Sequence, residues 1–260
     1  MKIIKFNLSK SFETLEIHTF ADEHIGDPHS DMENLKRRIE YVAKTDNAYC
    51  ILNGDIIDFT SRSSIGDIEG RKLNIMKQLE TAVELFEPIK KKIICITNGN
   101  HENRGYRKEG FDISSVLAAR LDLSDIYTPT SAFIFIRFGA PSAVKSNKSQ
   151  KQIYTIYVNH GSGGGRKEGA KAIRLADMAA IIDADIYIHS HTHLGMVLKE
   201  GFHRVDRDKF SVHNDTKLFV NTASNLDYGG YGEAQEFKPN SKDTPVIYLS
   251  GIKHDMYATL

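Results

Sequence analysis

Five short polar clusters punctuate the chain in a fixed order: Asp22-Glu23-His24, Gly54-Asp55-Ile56-Ile57-Asp58, Gly99-Asn100-His101-Glu102, Asn159-His160-Gly161 and His191-Thr192-His193. Each offers a carboxylate, an imidazole or an amide oxygen, and each directly follows an apolar, strand-like run. One Asp or His at a strand end is more often a turn or cap residue than a ligand, whereas five in series describe a site. Carboxylates, imidazoles and an amide oxygen, without thiolate, suit Mn, Fe, Zn, Ni or Co and are too rich in histidine for Mg or Ca alone. The set is large enough for two divalent ions. Two such ions about 3.5–4 Å apart stabilise both the attacking and the leaving oxygen of a phosphoryl displacement and lower the pKa of a bound water. Hydrolysis of a phosphate ester is the chemistry this arrangement serves.

The elements that precede the clusters decide where they meet. Apolar runs recur at residues 3–6, 15–20, 49–52, 93–96, 133–138, 153–158, 186–188, 218–220 and 246–249, many of them rich in Ile, Val, Phe and Tyr, as strands are. Over residues 30–44, Met32, Leu35, Ile39 and Val42 form one helical stripe, and Ser30 with Glu33 has the form of a capping box. Leu73, Met76, Leu79, Val83 and Phe86 repeat the pattern up to Pro88, and Ala170, Ile173, Asp177, Met178 and Ile181 suggest a third helix. Strands alternating with helices, followed by a strand-rich second half, predict an α/β fold: a two-sheet mixed β-sandwich flanked by helices. In open α/β sheets ligands sit beyond the carboxyl ends of the strands, so the clusters converge there. Asp22 and His24, and again His191 and His193, point the same way if the backbone stays extended.

With 260 residues, 40% hydrophobic and 26% charged, residues 1–260 read as one domain, and residues 141–152 as a surface loop between two strands. No apolar run approaches the roughly 20 residues that span a bilayer. The start, Met1-Lys2-Ile3-Ile4-Lys5, is too short and too soon polar for a secretory signal, which makes a cytoplasmic protein without membrane contact the expectation. Cys50 and Cys95 lie in strand runs and read as small core residues rather than a disulfide. With 34 basic and 34 acidic residues there is no global field to attract nucleic acid, which leaves only a local basic rim for that role.

Taken together, the clusters resemble the motifs of the calcineurin-like metallophosphoesterase superfamily over roughly residues 15–195. The resemblance implies an αββα fold in which Asp22, His24, Asp55 and His193 hold one metal, and Asn100, His160 and His191 complete a second that Asp55 bridges. Manganese is the expected ion, with Fe, Zn, Ni or Co as alternatives. It further implies that His101 stays outside the coordination shell, protonating the leaving oxygen or stabilising charge on the phosphoryl group, with Asp58 orienting its imidazole. The nucleophile is then a metal-bridging hydroxide, and no covalent intermediate is expected. A bridging carboxylate offsets repulsion between two cations, and an aspartate beside a histidine sets its tautomer and basicity. Ser190 stands where the family usually has glycine, which calls for a minor backbone adjustment. Phe59 stands where protein serine/threonine phosphatases carry arginine, which weighs against a phosphoprotein substrate.

Outside the motifs, Arg104 is a candidate for the substrate phosphate. Residues 161–165, with Arg166 and Lys167 after them, either offer amides and charge to a phosphate or simply connect a strand to a helix. Arg107, Lys108, Lys171 and Arg174 form a basic rim or ordinary solvated charge. Tyr228, Tyr231 and Phe237 could stack on a base, cover the cleft or anchor their loop. His18 and His189 read as packed or supporting histidines, Glu23 and Glu102 as facing solvent or neighbouring loops, and residues 201–260 as cleft wall. The opening Asp22/His24 pair and the His191/His193 pair resemble phosphodiesterases and a repair nuclease, so a phosphodiester is preferred, with nucleic acid or nucleotide left open. A phosphomonoesterase acting on a nucleotide or phosphoprotein is the alternative. A non-catalytic metal-binding scaffold is the alternative from another class, and retention of His101 with Asp58 argues against it. Activity should fall in acid as His24, His160, His191 and His193 protonate. The oligomeric state is left open.

Overall fold

A computed structural model describes residues 1–8, 12–59, 73–139 and 152–260. The apolar runs all become strands, and they divide between two mixed sheets. One sheet has the order β1 (Lys2–Asn7), β6 (Ser131–Arg137), β7 (Ile153–Asn159), β8 (Ile186–His189), β10 (Ser211–Asn221) and β9 (Met196–Asp206). The other runs β12 (Met256–Thr259), β11 (Val246–Ser250), β2 (Thr14–Phe20), β3 (Ala48–Asn53), β4 (Ile93–Thr97) and β5 (Tyr127–Thr128). From β2 to β5 neighbouring strands are parallel, and β7, β8 and β10 are parallel in the first sheet, so these strands deliver their carboxyl ends to one edge of the sandwich.

Strand alternation then builds the layers. Ile51 on β3 packs between the sheets with Ile17, Ile94, Ile134, Ile156 and Ile188. Its neighbours Cys50 and Leu52 face the other way, onto α1 (Met32–Lys44), α2 (Ile75–Phe86) and α4 (Ile113–Arg120). On the outside of the first sheet, Phe133, Tyr157, Tyr187 and Phe219 receive Leu175 of α5 (Glu168–Ala176) and Met178 from the turn after it. The result is the helix-flanked mixed sandwich expected. Cys50 and Cys95, both free, fall on opposite faces of one sheet, and burial pushes both thiols up, that of Cys95 to about 12.

Several helix details differ from the sequence reading. The cap of α1 is Asp31, whose side chain accepts from the Asn34 amide at 2.9 Å, while the Ser30 hydroxyl donates to the Glu23 carbonyl at 2.7 Å. Ser30 is drawn to the site loop, so the Ser30/Glu33 box does not form. On α2 the buried face is Gln78, Leu79, Ala82 and Phe86, and Met76 is exposed, because the Gln78 amide is held by Phe59 N and the Leu73 carbonyl. Ile173 and Ile181 are also exposed; Met178 of the expected stripe is buried, and Leu175 makes the rest of the contact. α3 (Asn100–Glu109), α4, β5, β9 and β12 were not anticipated: α3 carries no apolar stripe, β5 and β12 are very short, and β9 is largely exposed. α6 is the single turn Gly230–Ala234. The loop expected over residues 141–152 falls between β6 and β7 and, apart from Gln152, outside the described residues. Among the described residues no helix is long and apolar enough to cross a membrane.

Candidate metal centre

Every cluster lies just past a strand end, but the chain there is not extended. Asp22, His24, Asp55, His191 and His193 all have left-handed backbones, with φ of 53°, 48°, 50°, 64° and 55°. A non-glycine residue in that region costs about 1 kcal/mol or more. The pairs Asp22/His24 and His191/His193 therefore reach inward through left-handed turns rather than through the two-residue repeat of an extended strand. The loops are pinned in that shape. Asp22 N donates to Gly54 O, His24 N to Asp55 O, Ile25 N to Ile56 O and Asp58 N to Ile25 O, at 3.2, 3.0, 2.9 and 3.1 Å. A Cβ on Gly54, whose φ is +77°, would meet Gly99 N at 2.5 Å, so the second and third motifs stack backbone on backbone.

Two groups of ligand atoms result, each within 4.8 Å: Asp22 with His24 and His193, and Asp55 with His160 and His191. The Asn100 amide oxygen joins the second, 2.6 Å from His191 Nδ1 and 3.2 Å from His160 Nε2. His160 Nε2 lies 3.3 Å from Asp55 Oδ2, and its Nδ1 donates to the Asn53 carbonyl at 2.7 Å, which fixes the ring. Asp22 Oδ1 and His24 Nε2 are buried and make no well-formed hydrogen bond, Asp22 Oδ1 having only the His193 ring nitrogen beside it at 3.2 Å. Such orphaned atoms are costly unless something binds them. These orphans, with an oxygen and nitrogen donor set, fit two first-row divalent ions.

Electrostatics point the same way. Burial alone would lower the His160 pKa, but the Asp55 and Asp22 carboxylates lift it to about 10. Burial likewise opposes ionisation of Asp55, yet the imidazoles of His160 and His101 hold its carboxyl well below the usual range. The buried carboxylates and imidazoles thus favour each other's charged forms.

His101 stands at the second position of α3 and contacts both the clusters and Asp58. Its Nδ1 donates to the Asp58 carbonyl at 2.6 Å and lies 3.3 Å from the Asp58 carboxylate, while its ring sits 4.4 Å from that of His24. His24, Asp58 and His101 form a third close group of donors. Burial disfavours the charged ring, but Asp55 and Asp58 raise the His101 pKa above its ordinary value.

Several residues that hold this arrangement were misjudged or missed from sequence. Glu102 is buried, and of the two expectations, solvent or a neighbouring loop, the loop is right: its carboxylate accepts from the amides of Asp55, Ile56, Ile57 and Gly99 at 2.9, 2.7, 3.1 and 3.1 Å. Burial and the Asp55 charge push this carboxyl up to about 7. Its place three residues after Gly99, where a glutamate can reach back to the N-cap amide, is the acidic half of a capping box and could have revealed it. Glu23 is also buried, bound at 2.8 Å by Arg38, which donates as well to Thr19 O. Asn53 links the sheets, donating to Ser190 Oγ at 2.7 Å and accepting from Thr97. The serine in the place of glycine is thus a bridge rather than a disturbance. Asn221 donates to Thr192 Oγ1 and Leu194 O and accepts from His189, so it steadies the last motif.

Residues 24–195 match the family model for calcineurin-like phosphoesterases. The chain belongs to this family. Solved structures similar to this calcineurin-like phosphoesterase include vacuolar protein sorting 29 from Cryptosporidium parvum, at 14% identity and TM-score 0.45, covering 95% of this chain and 98% of that one. A conserved uncharacterized protein from Streptococcus pneumoniae TIGR4, described as a predicted phosphoesterase, has 14% identity and TM-score 0.34 over 96% and 100% of the two chains. A metallophosphoesterase from Sphaerobacter thermophilus has 13% identity and TM-score 0.40 over 91% and 84%. No curated protein matches the chain by sequence.

Over the two clusters this phosphoesterase has a cavity of about 760 Å³. Arg104 lines it, as do Lys108, residues 163–165, Tyr228 and Phe237; Arg107 and Arg174 are not part of the lining. The side chain of Tyr231, on α6, falls outside the described residues. Phe59 is buried against Gly105 of α3, so it backs the site rather than facing substrate.

Proposed function

We propose that the chain hydrolyses phosphodiesters with two divalent ions, manganese by preference, Asp22, His24 and His193 holding one and Asn100, His160 and His191 the other, with Asp55 between. The observation that carries this reading is the setting of His101, fixed through Nδ1 by Asp58 so that Nε2 is left for a substrate beside both clusters. Bound ions would supply Lewis acidity to the phosphoryl group and lower the pKa of water. The chain's own work is then positional. Asp55 and Asp58 favour the protonated ring of His101, and an alkoxide leaving group needs that proton. Arg104, on α3 one turn beyond His101, meets the non-bridging oxygens. The cavity has room for substituents on both sides of a diester, and the neutral overall charge of the chain favours a nucleotide-sized substrate over a long nucleic acid.

The test is turnover of bis-p-nitrophenyl phosphate against p-nitrophenyl phosphate by manganese-loaded protein. Higher kcat/KM for the diester is expected. A clear preference for the monoester would overturn the diesterase reading, and no turnover of either would favour a scaffold.

A further inference from the structure

The chain as a whole is neutral, with 34 basic and 34 acidic residues, but the cavity is not evenly so. Arg104 and Lys108, one turn apart on α3, and Arg166, Lys171 and Lys238 all line it. The lining carboxylates outside the motifs already have partners: Glu168 is bound by Lys238 at 2.8 Å, Asp227 by Lys242 at 2.7 Å and Asp27 by the His29 amide at 2.8 Å. Among the described residues, Arg104, Arg166 and Lys171 form no ion pair.

Lys171 is the informative member. It is half-buried on α5, and burial pulls its pKa down, with Glu168 acting in the other direction and Lys238 adding to the lowering. An ammonium partly withdrawn from water and without an ion pair is unfavourable, and an anion in the cavity relieves that cost. Arg166 is held in the lining by its guanidinium, 5.2 Å from the centre of the Phe237 ring. Gly163, Gly164 and Gly165 line the same space, and their amides donate to no described residue. Tyr228, half-exposed, adds an aromatic face beside Leu194 and Leu226. One phosphate, already met by two clusters and Arg104, does not need these groups, and about 760 Å³ is far more than it fills.

We infer that the cavity contains a second anion subsite, built from Lys171, Arg166 and the backbone of residues 163–165, and that the substrate is a small nucleotide carrying a phosphate besides the scissile one. The inference rests on the proposed phosphodiesterase reading for the scissile group and adds the class of molecule that bears it. The subsite acts through binding, so its loss appears in affinity for the doubly charged ligand.

Calorimetry on manganese-loaded protein tests this with thymidine 5′-monophosphate, thymidine 3′,5′-bisphosphate and a thymidine dodecanucleotide. The bisphosphate should bind at least about ten-fold tighter than the monophosphate, the effect of one or two charge-assisted hydrogen bonds. In Lys171→Ala/Arg166→Ala that ratio should collapse towards one, and in Lys171→Arg it should persist, with thermal melting of each variant confirming the fold. Equal affinities in the wild type, or an unchanged ratio in the double variant, would overturn the subsite. A dodecanucleotide bound ten-fold tighter than the bisphosphate would overturn the small-nucleotide assignment in favour of a strand. Turnover of bis-p-nitrophenyl phosphate keeps the two readings apart: its absence with the ratio intact removes the reaction and keeps the subsite, and turnover without the ratio does the reverse.

Discussion

His101 and Glu102 are adjacent on α3, yet one faces substrate space and the other is sealed beneath the second motif. Replacing His101 by Ala should lower kcat by about 10²–10⁴-fold, the usual range for a lost acid, while metal content by elemental analysis stays at the wild-type level. Metal lost in parallel with activity would instead make His101 a ligand. Glu102→Ala leaves buried amides of Asp55, Ile56, Ile57 and Gly99 without their acceptor. Urea unfolding of the metal-free variant should show a loss of about 3 kcal/mol or more, and the variant should bind manganese more weakly. Wild-type stability and affinity would mean that the loop shape is set elsewhere. The positions of the ligand-type residues were readable because Asp, Asn and His recur after strand-like runs. The burial of Glu23 and Glu102 was not, because a carboxylate looks the same in sequence whether water or four main-chain amides surround it. Left-handed φ at Asp22 and His193 was equally hidden, since neither residue type demands it.

Among the elements, α1 offers the sharpest test. Asp31 caps it and is also ion-paired to Lys242, so Asp31→Ala should cost about 1 kcal/mol in unfolding experiments. The Lys242 hydrogen bond and the Asn34 amide hold the Asp31 carboxyl below its ordinary value. A depressed carboxyl contributes stability above the unfolded-state value of 3.8 and loses it as pH falls through the lower folded-state value. The stability gap between the wild type and Asp31→Asn should therefore narrow steadily in acid; a constant gap would assign the effect to packing. The sandwich itself could be read from apolar runs with strand chemistry, because burying both faces of a parallel strand leaves little choice of residue. The cap could not: Ser30, Asp31 and Glu33 satisfy similar local rules, and the pull of Glu23 O on Ser30 decides between them. The β9–β10 hairpin escaped because its outer half has little to bury.

For the molecule as a whole, the two ligand groups matter because each draws on both sheets: Asp22, His24, Asp55 and Asn100 follow β2, β3 and β4, while His160, His191 and His193 follow β7 and β8. Chelation should lower the melting temperature, and manganese should restore it with the logarithm of its concentration over its Kd. In metal-free protein the raised His160 pKa stabilises the fold fully below the ordinary 6.5, and that contribution is lost as pH rises towards about 10. Near neutral pH the ring is therefore charged, and manganese should expel its proton; titrations in buffers of different ionisation enthalpy should show the release. No buffer dependence would contradict this account of His160.

The interleaving of the sheets also has a timetable. A chain emerging from the ribosome presents Asp22, Asp55 and Asn100 early, but His193 follows much later, and β2 meets its neighbour β11 only when Val246–Ser250 arrive. Neither ligand group can close before the residues after β8 are made, so a chain stalled ahead of His191 lacks a ligand of each and should be hydrolytically silent. Topology alone thus keeps unfinished copies inactive.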